Sequence, residues 1–173
     1  MDETTRRTAM EIRMLFGFLA KLAARSLEGR LCAHHPGLTA LQYGIMQALN
    51  HHRWTISEMS RQFMLDPSTL VPAVDALERK GLIERGRDPA DRRRVPISLT
   101  PAGESLLREV SPMDESDPLV QSLTKMEPEQ REQLLSLLRT LARHMPDGEK
   151  VLERVQSRIE HALGKDGGCS CEE

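Results

Sequence analysis

The tightest constraint on this chain is a run of helix starts and stops between Thr39 and Gly81. Thr39-x-x-Gln42 and Thr55-x-x-Glu58 are capping boxes. In each, the hydroxyl accepts an orphan backbone N–H, and the side chain three residues on reaches back to the cap's own N–H. Asp66-Pro67 marks a third start, with Asp as N-cap and Pro where its missing N–H costs nothing. Each start leads into an apolar stripe: Leu41, Ile45, Met46 and Leu49, then Ile56, Met59 and Phe63, then Leu70, Val74 and Leu77. Gly81 closes the third helix after Arg79 and Lys80. The period then changes. Leu82 to Arg87 is short, Val95-Pro-Ile97-Ser-Leu99 alternates, and Asp88-Pro89-Ala90-Asp91 between them is turn chemistry. Two strands joined by an arginine-bearing loop make a hairpin. Pro96 lacks a donor, which places its strand at an edge.

The flanks read as helices. Met10, Met14, Leu15, Phe18, Leu19, Leu22 and Leu27 recur at helical steps over 8–31. Thr100-Pro101 starts another helix, which weakens at Ser111 to Pro118. Glu127-Pro128 starts a further one, with more leucines than one face of a small monomer can bury. After the break at Pro146-Asp-Gly148, residues 149–163 carry a stripe of Leu152, Val155, Ile159 and Leu163. Only 39% of the 173 residues are hydrophobic, so burial between subunits is expected. No apolar run approaches the roughly 18 residues of a membrane helix. Asp2, Glu3 and Glu11 do not suit a signal peptide, and three cysteines make no disulfide framework. A cytoplasmic chain is expected. There is no Gly-rich phosphate loop, no Gly-x-Ser-x-Gly and no His-Glu-x-x-His, and His51-His52 has no spaced carboxylate partner, so no enzyme is expected.

Three helices and a hairpin make a winged helix-turn-helix, mainly α, in which the helix before the hairpin enters a major groove. The expected organisation is a DNA-binding domain over 36–102 and a discontinuous helical dimerisation lobe over 1–35 and 103–165. A flexible Cys-x-Cys tail over 166–173 completes it. The net charge of −2 first argues against nucleic acid, but it divides into +3 over 1–54, +1 over 55–101 and −6 over 102–173. Arg85, Arg87, Arg92, Arg93 and Arg94 stand against Asp88 and Asp91, a local excess able to attract phosphate. The alternative for such a run is a solvated loop. Ser68 and Thr69 sit where backbone N–H groups and the helix dipole favour phosphate.

These residues resemble the MarR-type winged-helix regulators. The resemblance rests on Leu38-Thr39-x-x-Gln42, Thr55-Ile-Ser-Glu-Met-Ser60, Asp66-Pro-Ser-Thr-Leu70 and Leu77-Glu-x-Lys-Gly-Leu82-Ile-x-Arg85. Its specific part is the wing, Asp91-x-Arg93-x5-Leu99-Thr100. The resemblance implies a homodimer on pseudo-palindromic double-stranded DNA, a transcriptional regulator that represses and is released by a small molecule, oxidant or metal. It implies that Ser68, Thr69, Val71 and Pro72 face the major groove. Arg93 would reach the minor groove or its phosphates, held by Asp91. Arg92 and Arg94, with Arg87 beside them, would add charge towards phosphate. Pro72 stands where many relatives carry a base-reading Arg. Proline donates no hydrogen bond and removes the helix bond to the Ser68 carbonyl, so a local kink and more reliance on DNA shape are expected. The alternative is a winged helix used only for protein contacts, against which the wing arginines and the Ser68-Thr69 start weigh.

Cys32, Cys169 and Cys171 are candidate ligands for a soft ion or zinc, or redox groups. The other reading is a small buried Cys32 and an incidental tail. No Lys or Arg adjoins Cys32 to lower its pKa, which favours that reading. Phe16, Phe18 and Phe63 lie on helix stripes and read as core.

Overall fold

A computed structural model describes residues 2–50, 52–88, 91, 94–110 and 113–163, with the side chains of 34 and 161–163 excepted. The chain forms two compact units, Met1–Ser122 and Leu123–Glu173.

The first unit opens with α1, Glu3–His34. It starts five residues before the expected position, because the Asp2 carboxylate caps it by accepting the Thr5 N–H at 2.6 Å. A polar first turn carries no apolar period, so periodicity alone misses it. Only the C-terminal end of α1 joins the core, through Leu31 at 0% exposure and half-buried Leu27. A helix of 32 residues is about 48 Å long, more than one small winged helix can cover. Phe16 and Phe18 are therefore not core in this chain: they are 46% and 61% exposed. Cys32 is exposed rather than buried.

The three central helices form as their caps predict: α2 over Ala40–Leu49, α3 over Ile56–Phe63 and α4 over Pro67–Arg79. Both capping boxes are made, with Gln42 N–H on Thr39 Oγ1 at 3.2 Å and Thr55 N–H on Glu58 Oε2 at 2.7 Å. Asp66 differs: its side chain makes no cap, and its backbone carbonyl instead accepts the N–H groups of Thr69 and Leu70. The core is Leu38, Tyr43, Ile45, Met46 and Leu49, with Met59, Leu70, Val74, Leu77, Ile83 and Ile97. Phe63 packs against it.

Strands β1, Ile83–Arg85, and β2, Ile97–Leu99, pair antiparallel with Ile83 opposite Leu99 and Arg85 opposite Ile97. Each is shorter than the segment read for it, Leu82 to Arg87 and the alternating Val95 to Leu99. The sheet has two strands, so β2 lies at an edge as Pro96 predicts, and Trp54 adds an isolated bridge to Ile97 on its far side through bonds of 2.8 and 3.2 Å. Pro96 lies just before β2, where its carbonyl accepts the Gly86 N–H at 2.7 Å. Helix α5, Pro101–Glu109, is seated on the sheet by Thr100. The Thr100 hydroxyl donates to the Gly81 carbonyl at 2.6 Å and accepts the Gly103 N–H at 3.2 Å. The expected weakening after 110 is a separation: α6 is a distinct helix over Pro118–Thr124. The Asp117 carboxylate caps it, accepting the Leu119 N–H at 2.8 Å, and takes Arg30 of α1 at 3.0 Å.

In the second unit, α7 over Pro128–Arg143 packs on α8 over Gly148–Leu163. The break between them holds at Asp147, whose φ is 58°. Helix α7 buries none of its residues; Leu134, Leu135, Leu137, Leu138 and Leu141 all stay exposed. No described helix is long and apolar enough to cross a membrane.

Candidate nucleic-acid interface

Helix α4 sorts its residues by face. Leu70, Val74 and Leu77 are fully buried, which turns Ser68, Thr69, Val71 and Pro72 outward. No acidic residue stands in the first turn. The helix runs unbroken through Pro72, although proline leaves the Ser68 carbonyl without its usual helical N–H donor. The turn into α4 is tight because Met64 holds the left-handed conformation, φ 54°, and because the Ser60 hydroxyl donates to the Leu65 carbonyl at 2.7 Å. The sequence shows no glycine at this turn, so its geometry could not be read there.

The wing root is fixed by two arginines, each holding two carboxylates. Arg85 binds Asp75 at 2.5 Å and also Glu78, both on α4. Those carboxylates hold the Arg85 charge more firmly still, the Asp75 hydrogen bond most of all. Arg94 reaches Glu58 of α3 at 2.9 Å and Asp88 at 3.4 Å. The wing's apparent excess of positive charge is therefore partly spent inside the fold. Arg87 and Asp91 are exposed. The Asp91 carbonyl accepts the Arg94 N–H at 2.9 Å, closing the loop on itself. Arg92, Arg93, Cys169 and Cys171 lie outside the described residues.

Glu58 serves both sides. Its Oε2 accepts the Thr55 N–H and hydroxyl, while Oε1 accepts from Arg94. The Thr55 backbone bond, with Arg94 contributing less, holds this carboxyl below the usual range. Between α3 and the wing root lies an open cleft of about 410 Å³, lined by Thr55, Glu58, Arg61, Asp91 and Arg94 among others. Among the described residues no group of three or more His, Cys, Asp or Glu is placed to hold a metal ion.

Comparison with known proteins places this geometry. The model of the MarR family matches residues 38–95. A Bacillus subtilis protein, the uncharacterized HTH-type regulator YsmB, is 45% identical over 56 residues, or 32% of this chain and 38% of that one. The Bacillus subtilis organic hydroperoxide resistance transcriptional regulator is 37% identical over 105 residues, which span 60% of this chain and 69% of that protein. The chain belongs to the MarR family of transcriptional regulators. Its fold agrees with MarR structures: a mutant MarR from E. coli complexed with operator DNA superposes with a TM-score of 0.68 at 20% identity. That superposition covers 82% of this chain and 99% of the other. The MarR winged helix here is thus mainly α with a two-stranded wing, as its sequence predicts.

Proposed function

We propose that this MarR-family chain is a homodimeric repressor on a pseudo-palindromic operator, released by a small-molecule, oxidant or metal signal in the cytoplasm. The start of α4 enters the major groove. Ser68 and Thr69 offer hydroxyls to base edges or phosphate, and Val71 and Pro72 offer apolar contact to thymine methyls. Arg87, Arg92 and Arg93 deliver the wing's charge to phosphates or a narrow minor groove, with Asp91 orienting Arg93. Residues 36–102 form the reading domain, and 1–35 with 103–165 form the dimer lobe. The observation that carries this reading is the outward face of α4, polar and apolar but free of acids in its first turn, beside an arginine-bearing wing.

The test is selection of bound duplexes from a random pool, followed by Arg93→Ala on the selected site. Loss of affinity on every sequence, with the salt slope flatter by about one, is the expected result. An unchanged slope and affinity would remove Arg93 from the interface. Absence of any DNA retention at low salt would favour a module for protein contacts.

A further inference from the structure

The family resemblance places Arg94 among the phosphate-binding wing arginines. Its surroundings give it other work. The wing strands are three residues each, too short to hold the loop from 86 to 96 by themselves. Among the described residues, the loop's own backbone bonds are Gly86 N–H on the Pro96 carbonyl at 2.7 Å, Asp88 N–H on the Arg94 carbonyl at 3.4 Å, Arg94 N–H on the Asp91 carbonyl at 2.9 Å and Asp91 N–H on Asp88 Oδ1 at 3.4 Å, and to these the Arg94 side chain is added. Only the last of these leaves the hairpin. Both terminal nitrogens of Arg94 are engaged, one on Asp88 within the loop and one on Glu58 at the start of α3. Glu58 is itself fixed by the α3 cap, so it offers Arg94 an oriented oxygen rather than a mobile one. A phosphate would have to displace a carboxylate from each fork tip.

We propose that Arg94 is a positioning residue: through Glu58 it ties the wing root to α3, and so sets where the remaining wing arginines stand relative to α4. Arg85 does the corresponding work on the other strand, tying it to α4 through Asp75 and Glu78. This inference uses the DNA-binding reading only for the affinity arm of its test. A side-chain pair of this exposure is a weak bond, but a loop rooted on strands of three residues responds to weak bonds.

The test pairs Arg94→Gln with Glu58→Gln, which keeps a capping-box residue at position 58 while losing the charge. In the full chain without DNA, each variant should speed amide exchange at Gly86 and Asp88, about fivefold for a bond of this strength. On the selected operator, Arg94→Gln should weaken binding about fivefold, leave the salt slope unchanged and cost nothing more in the Glu58→Gln background. A slope lowered by about one, unchanged exchange, and an equal loss in both backgrounds would make Arg94 a phosphate contact and overturn the proposal. A chain that binds no DNA would sink the functional reading, and the exchange arm would still decide the tie.

Discussion

Met64 sits at φ 54° with a side chain 63% exposed, at the turn between α3 and α4. A non-glycine in the left-handed region costs about 1–2 kcal/mol, because its Cβ crowds the carbonyl. Met64→Gly relieves that cost and adds unfolded-state entropy, so it should stabilise by about 0.5–1 kcal/mol. A rise in the urea midpoint without a change of slope is the expected reading, and a fall would mean the methionine packs on something. Glu58 is the second informative residue. Its carboxyl is held low by the Thr55 backbone bond and then by Arg94. A depressed folded value contributes stability above the unfolded value and loses it as pH falls through the folded one. The wild type should therefore lose stability between about pH 5 and pH 3 more steeply than Glu58→Gln. Parallel acid limbs for the two proteins would remove this contribution. Both capping boxes were legible, since the hydroxyl and its partner are three residues apart. Arg94 was not, because the carboxylate it meets is 36 residues away and only folding brings the two together.

At the scale of elements, the path from β2 into α5 depends on a close approach. A Cβ at Gly103 would fall inside the contact distance of the Leu82 carbonyl oxygen and press on Leu99. Backbone cannot yield as a side chain tip does, so Gly103→Ala should destabilise by about 1–3 kcal/mol. Thermal or urea unfolding would show it, and a neutral result would mean that α5 can slide on the sheet. Helix α4 was readable in its inward face from its own spacing, Leu70, Val74 and Leu77, and in its outward face, Ser68, Thr69, Val71 and Pro72, from the family resemblance. The wing was readable as a hairpin but not in its extent. Its alternation ran over five residues, yet only Ile97–Leu99 pairs with β1. The Trp54 bridge escaped notice because a single paired residue leaves no period in the sequence. Gly81, with φ +69°, ends α4 where its position after Arg79 and Lys80 predicted.

At the scale of the molecule, α1 states what is missing from one chain. Met10, Met14, Leu15, Phe18, Leu19 and Leu22 each leave half or more of their surface exposed along one helix. A monomer seldom leaves so large an apolar stripe to water. In the proposed homodimer this stripe is buried, and a charge within it is costly. Phe18→Asp should raise the dimer dissociation constant at least about 100-fold, near 2.7 kcal/mol, and weaken operator binding with it. Sedimentation at graded concentrations checks the first, and a retained helical signal shows that the fold survives. An unaltered dimer would place the interface elsewhere. The division of charge belongs to this scale too. The acidic excess lies beyond residue 101, so the total of −2 says little about the half that bears the wing.

The sequence by itself determined where α2, α3 and α4 start, which faces they bury and the order helix, helix, helix, hairpin. Those are local matters of capping, period and turn chemistry, each set within a few residues. Tertiary structure alone decided which charges are spent inside the fold and which apolar stripes stay open. It showed that Arg85 and Arg94 serve carboxylates at the wing root and that Phe16 and Phe18 stay exposed among the described residues. The reason is distance along the chain. A cap needs three residues, while an ion pair from wing to α3 or the burial of a long helix needs groups that only the folded arrangement, or a second subunit, can supply.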